Sequence, residues 1–394
     1  MNEEVLKVDI PNCKLYLARA REILMDILSI NTCQPAGNEA TLADHLIGLF
    51  PKGTDYRLLP HGENRASLIV HIPGRETGNG LAFAGHLDTV AYGDKGSWRT
   101  DPACPTVEGD RVYARGAADM KGGVVAMTAV ALYFLEQGIT PVHDLYFCYT
   151  ADEEKGGMGA GAIAEENILT GVSRLIIAEP TKGQISLGEK GALWLRATAR
   201  GVQSHGSRPD LGVNAIELLV HFAETLKGSL DMETEHPLFG HTTAAITNLH
   251  GGVMTNIIPP EATLEMDIRT IPGQSNRDIM EKACRIAEEL CQANSPLKIT
   301  VETLNDRPAV GVSEEDPLVL DMQAAARSLG LSDQLRGTIF YTDASQLVPH
   351  YQIPFLILGP GDDALAHQSN EYITFSSLEE ITSLYLRYLE QEMG

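Results

Sequence analysis

The residues of this chain best suited to chemistry are scattered along the first half of the sequence and return once near its end. His86 and Asp88 stand in GHLDTV, Asp119 in ARGAADMKGG, Glu153 and Glu154 in TADEEKGGMGA, Glu179 in AEPT and His367 in GPGDDALAHQSNE. Taken singly each is weak. An acidic triplet such as Asp152–Glu154 is ordinarily a solvated loop, and a lone HxD says little. Gathered in one place, these carboxylates would repel each other strongly unless cations lay between them. Imidazole and carboxylate ligands favour zinc, with cobalt or manganese as chemical substitutes. One such site needs a histidine, two carboxylates and an open position. The set is large enough for two sites that share a bridging carboxylate.

The elements that must position these residues can be read from apolar patterning. Short apolar runs bounded by Gly and Pro predict strands at Ser67–Ile72, Leu81–Ala84, Leu145–Tyr149, Leu175–Ala178 and Phe355–Leu358. Helical spacing covers Leu15 to Phe50 with a break at Asn31–Gly37, then Met120–Glu136, Leu318–Leu329 and Ser377–Glu392. Alternating strands and helices predict an α/β domain with a mostly parallel sheet, over 1–188 and 307–394. Between them, at 189–306, the texture changes to LWLRATA-like alternation. The order there is β-α-β-β-α-β, with helices at Val213–Leu226 and Arg277–Ala293, which predicts an inserted ferredoxin-like α+β domain. In parallel sheets the carboxyl ends of the strands line one crevice. The histidines and carboxylates above follow such ends, and that shared placement makes the set meaningful.

Composition narrows the class. The chain has 394 residues, 43% hydrophobic and 21% charged, as expected of a soluble two-domain globular protein. A net charge of −23 argues against nucleic acid and against anionic membranes as partners. Six cysteines show no CxxC pair, consistent with reduced thiols. The charged N-terminal MNEEVLKVDIPNC has no apolar signal region, and no run approaches eighteen apolar residues. The expectation is a cytoplasmic protein.

GHLDTV, ARGAADMKGG, TADEEKGGMGA, AEPT, QSHGSRP, TNIIP and HQSNE, collinear over nearly the whole chain, resemble the M20 family of metallopeptidases and deacylases. The resemblance implies a zinc-exopeptidase-like catalytic domain with a lid and dimerisation domain inserted. It implies two Zn2+ per subunit, one on His86, Asp119 and Glu179, the other on Asp119, Glu154 and His367. Asp88 would then hydrogen-bond the far nitrogen of His86, and Glu153 would be the general base. A cis peptide would follow Asp119. His205 would supply an oxyanion donor, from the partner subunit in a homodimer. Arg269 and Asn256 would bind substrate, Arg269 by a fork on a carboxylate unless a neighbour such as Asp267 holds it. Gly361, in Gly359-Pro360-Gly361, would either offer a backbone donor or merely make a turn.

In such an enzyme a metal-activated water attacks an amide carbonyl while Glu153 moves the proton. Glu179 resembles the deacylase and carboxypeptidase-type members. The expected substrate is a small N-acyl amino acid, by succinyl-diaminopimelate desuccinylase or acetylornithine deacetylase chemistry. The alternative is a dipeptidase or carboxypeptidase acting on short peptides. ARG at 114–116 and Cys104 depart from the commoner pattern of the family and bear on pocket shape.

Overall fold

The structure, a computed structural model, describes residues 12–292 and 297–393. The charged N-terminal stretch 1–11 and the expected helix end at Ala293 lie outside the described residues. The chain divides into two compact units. The first comprises Met1–Gly188, Gly311–Thr338 and Thr342–Gly394; the second comprises Glu189–Val310 and Ile339–Tyr341.

Along the chain, helices α1 (Cys13–Leu28) and α2 (Glu39–Leu49) precede strands β1 (Asp55–Pro60), β2 (Ala66–Ile72) and β3 (Glu76–His86). A small hairpin, β4 (Thr106–Glu108) and β5 (Arg111–Tyr113), leads into α3 (Gly122–Gln137). Then come β6 (His143–Thr150), α4 (Met158–Glu165), β7 (Val172–Ile177) and β8 (Ile185–Glu189). The second unit holds β9 (Ala192–Arg200), β10 (Ser204–His205), α5 (Ala215–Ser229), β11 (Glu235–His236), β12 (Gly240–His241) and β13 (Thr243–Gly251). It continues with β14 (Ile257–Ile258), β15 (Glu261–Arg269), α6 (Asn276–Gln292) and β16 (Lys298–Arg307). The chain ends with β17 (Val310–Gly311), α7 (Pro317–Ser328), β18 (Leu335–Thr338), α8 (Ala344–Tyr351), β19 (Phe355–Ile357), β20 (Tyr372–Thr374) and α9 (Phe375–Tyr388).

The large sheet runs β1-β2-β6-β3-β7-β19-β8-β17, with β18 also against β8. It is mixed. Its centre, β6-β3-β7-β19, is parallel, whereas β1, β2 and β8 join antiparallel. Central strands covered on both faces need unbroken apolar runs, and Leu81–Ala84 and Leu175–Ile177 are fully buried. The outer β1 is exposed along most of its length, so its pattern is faint.

Helix α3 packs against α1 and α9 and is buried from Gly122 through Phe134. Among the described residues, Ala117–Gln137 is the one stretch long and apolar enough to cross a bilayer, and it lies almost wholly inside the protein. All-round apolarity of that kind suits a core helix.

The register of the parallel strands decides where the site forms. His86 on β3 lies opposite Thr150 on β6, Ala84 opposite Ile177 on β7, and Ile177 opposite Ile357 on β19. The four carboxyl ends are therefore level, and the segments leaving them emerge side by side.

In the second unit, α5 and α6 pack on one face of an antiparallel sheet ordered β13-β15-β9-β16. Leu193, Leu195, Ala197 and Ala199 of β9 point into that core with Phe222 and Met266, while the alternate residues stay on the open face. This is the split-βαβ arrangement.

Candidate metal centre

His86 is the last residue of β3, and its ring is buried. Nδ1 lies 2.9 Å from the main-chain oxygen of Asp88 and donates to it, which leaves the Nε2 lone pair free for a ligand. Asp119 sits just before α3, in a turn whose backbone is not helical (φ −118°, ψ 98°), and the Asp119–Met120 peptide is cis. Glu153 and Glu154 lie in the turn after β6, Glu179 just past β7, and His367 on the segment after β19 with φ 62°.

These side chains converge in two trios. His86 Nε2 is 3.1 Å from Asp119 Oδ1 and 3.4 Å from Glu179 Oε1. His367 Nε2 is 2.9 Å from Glu154 Oε2 and 3.3 Å from Asp119 Oδ2. Within each trio the donor atoms all lie within 4.8 Å of one another. Ligands at zinc bond lengths around a tetrahedron stand about 3.3 Å apart, so the observed spacings suit one ion per trio. Asp119 turns one oxygen to each histidine, as a shared ligand must.

The charges of the site do not balance by themselves. Asp119, Glu153, Glu154 and Glu179 outnumber His86 and His367, even with both rings protonated. Burial pushes Glu153 well above the ordinary carboxylate range; His86 pulls it back, while Glu179, Asp343 and Glu154 add repulsion. Burial raises Glu179 to about 7, against the pull of His86. Glu154 is raised by burial and by Asp119. Burial would raise Asp119 too, but hydrogen bonds from His367 and His86 overrule it and hold it below its usual value. Hydrogen bonds to Asp119 and Glu154 lift His367 to about 10. A site that borrows protons to offset its own carboxylates fits cations, and the mixed nitrogen and oxygen donors fit zinc, cobalt or manganese.

Asp88 does hydrogen-bond the far nitrogen of His86, but through its main-chain oxygen, while its carboxylate Oδ1 stands 3.8 Å from Nδ1. The carboxylate turns the other way. Oδ1 accepts from the amide of Glu153 at 3.0 Å, and Oδ2 from the amide of Glu154 at 3.3 Å and Gln34 Nε2 at 2.7 Å. Asp88 thus orients His86 with its backbone and the two glutamates with its side chain. Asp152, at φ 68°, accepts from Arg65 Nη1 at 2.8 Å, and Arg65 also pairs with the buried Glu39. It anchors the loop.

Sequence reasoning missed Gln34, Arg65, Glu39 and above all Glu371. The Glu371 carboxylate is fully buried and accepts from Arg115 and from amides of the turn that carries Asp119. The available signal was a lone glutamate closing HQSNE beside a candidate ligand.

Gly361 resolves as a turn. Its amide donates to Ser377 Oγ at 3.0 Å, and the amide of Gly359 to Thr181 Oγ1 at 3.2 Å. Neither is open to a substrate.

His205, Asn256 and Arg269 belong to the second unit. His205 and Asn256 are neighbours there, because β10 pairs with β14 and the amide of Gly206 donates to the Asn256 carbonyl at 2.7 Å. The ring of His205 is exposed, and its Nδ1 accepts from the amide of Ser207 at 3.1 Å. In the neutral ring the proton therefore sits on the outward Nε2. The Asn256 side chain makes no hydrogen bond among the described residues. Arg269 forks onto Asp267, Nε to Oδ1 at 2.8 Å and Nη2 to Oδ2 at 3.0 Å, so a neighbour holds the fork expected for a substrate.

Residues 82–391 match the profile of Peptidase family M20/M25/M40. The chain is 29% identical over 402 residues to a probable succinyl-diaminopimelate desuccinylase of Staphylococcus aureus (strain MSSA476), covering 94% of each. It is 32% identical over 317 residues to an acetylornithine deacetylase of Aliivibrio fischeri (strain ATCC 700601 / ES114), covering 77% of this chain and 79% of the relative. The fold is that of the aminopeptidase PepT from Bacillus cereus ATCC 10987, with a TM-score of 0.78 and 21% identity over 96% of this chain and 99% of that one.

Proposed function

The chain belongs to Peptidase family M20/M25/M40, and from that premise we propose that it is a dinuclear metal-dependent amidohydrolase that deacylates small N-acyl amino acids. The observation that carries the reading is Asp119, with one oxygen toward His86 and the other toward His367. The desuccinylase and deacetylase names of its relatives support the acyl-amino-acid class. His86, Asp119 and Glu179 would hold one ion, and Asp119, Glu154 and His367 the other, zinc first and cobalt or manganese as substitutes. Bound there, the ions would polarise the amide carbonyl and make water acidic near neutral pH.

The residues of the chain do the rest. Glu153, nine-tenths buried and with its amide pinned by Asp88, takes a proton from the attacking water and returns it to the departing amine nitrogen. His205 offers Nε2–H to the oxygen that gains charge in the tetrahedral state. Asn256, beside it, offers a further polar contact to substrate. The Arg269–Asp267 fork leaves Arg269 a part in substrate binding only if that pair opens.

The second unit would serve as lid and dimerisation domain, with 1–188 and 307–394 as the catalytic domain. Strand β13 ends its sheet and pairs only with β15 among the described strands, so its free edge supports a homodimer. Light scattering at micromolar concentration should give twice the chain mass. The proposed setting is the cytoplasm.

The deciding experiment is a substrate panel with added zinc or cobalt: N-succinyl-diaminopimelate, N-acetylornithine and several dipeptides. Turnover of an N-acyl amino acid is expected. Cleavage of dipeptides alone would replace the deacylase reading with a dipeptidase.

A further inference from the structure

Glu371 lies four residues beyond His367, immediately before β20, and its side chain is 0% exposed. A carboxylate buried so completely persists only where donors surround it. Here Oε2 accepts from Arg115 Nη1 at 2.7 Å and from the amide of Gly116 at 3.1 Å. Oε1 accepts from the amides of Ala118 at 2.8 Å and Asp119 at 3.0 Å. These amides converge on one point because the turn is not helical: Gly116 has φ 81°, and Asp119 and Met120 both leave the helical region. Without an anion at that point they would be buried donors with nothing to meet.

We propose that Glu371 is the positioning residue for the shared carboxylate, fixing the 116–119 turn so that Asp119 presents Oδ1 to His86 and Oδ2 to His367. The segment that supplies His367 thereby also sets the backbone of the ligand His367 shares. The segment is itself tethered, since Asn370 Oδ1 accepts from the amide of Arg99 at 2.7 Å and the Gln368 carbonyl from Arg115 Nη1 at 3.2 Å. Glu371 touches neither substrate nor metal and acts through the turn alone. The inference rests on the reading of Asp119 as a ligand common to two ions.

The test is zinc binding to chelator-stripped chain, read by calorimetry and by metal content after gel filtration. Wild type should take two ions; if it does not, the dinuclear reading fails before this inference is reached. Glu371→Gln puts an NH2 group against an amide donor and leaves one pair of donors unmet. It should remain folded by circular dichroism yet bind its second ion at least about tenfold more weakly, within the ~10–100-fold cost of losing a residue that orients ligands. Glu392→Gln is the control. Glu392 is also buried and accepts from Arg174 Nη2 at 2.9 Å and the His143 amide at 3.0 Å, but it sits at the opposite end of β6. It should lower thermal stability and leave zinc affinity unchanged. Wild-type zinc affinity in folded Glu371→Gln, or equal loss in both variants, overturns the proposal. Hydrogen exchange on metal-free wild type needs no variant: the amides of Gly116, Ala118 and Asp119 should exchange slowly, and fast exchange there would also overturn it.

Discussion

Glu153 and Glu154 are adjacent and chemically alike, yet their surroundings give them different work. Glu154 reaches His367 and also accepts from the amide of Val90 at 3.2 Å, so both of its oxygens are engaged. Glu153 faces the same cluster, but its carboxylate makes no hydrogen bond among the described residues, and its main-chain amide is what holds it. Glu153→Gln should therefore keep its metal, measured by elemental analysis, and lose about 10²–10⁴-fold in kcat. Wild-type turnover in that variant would remove Glu153 from the mechanism. Asp88→Asn keeps one acceptor and puts an NH2 group against the amide of either Glu153 or Glu154. We expect a loss of about 1–3 kcal/mol in stability by urea denaturation, with roughly 10–100-fold lower kcat/KM. An unperturbed variant would show that these amides need no anion.

At the scale of elements, the site depends on how closely helix α3 approaches the ends of the strands. A Cβ on Gly123, in the first turn of α3, would lie 1.9 Å from the carbonyl oxygen of Ala178, the residue before Glu179. Backbone cannot yield there as the tip of a side chain can. Gly123→Ala should cost about 1–3 kcal/mol in thermal or chemical denaturation, and it should displace Glu179 enough to weaken the site. The equivalent change at Gly53, where nothing lies within 4 Å but φ is 91°, tests backbone conformation without contact and should leave activity alone. Level strand ends put four segments in one place and the turn before α3 adds Asp119, so this spacing between helix and sheet sets the depth at which they meet.

For the whole molecule, the excess of buried carboxylate makes the metals part of stability as well as of catalysis. Ions that bind only the folded chain stabilise it by mass action, about 2.7 kcal/mol at a hundred times Kd. Chelation should thus lower the Tm by several degrees and abolish turnover, and added zinc should restore both. A Tm indifferent to chelator and zinc would argue that the trios hold no ion. The net charge of −23 does not oppose this binding, since a surface rich in carboxylates favours the approach of cations.

Apolar patterning alone makes the central strands of the large sheet, the α3 core helix and the inserted β-α-β-β-α-β segment legible. Buried strands and helices must carry apolar residues in their own periods, and Leu81–Ala84 or Leu193–Ala199 can be read directly. Strand β1 and helices α4 and α8 were not legible, because exposed or short elements bear little pattern and α8 even contains Pro349. The candidate ligands were legible as residue types placed after strand ends, and the resemblance sorted them into two groups. Which atoms meet is settled by the folded chain. It kept the Asp88 backbone on His86 and aimed the Asp88 carboxylate at the amides of Glu153 and Glu154, spent the Arg269 fork on Asp267, closed the Gly361 amide with Ser377, and brought Glu371 beneath Asp119. A hydrogen bond is fixed by distance and direction between atoms far apart in the chain. Residue type and spacing constrain neither until the strands are in register.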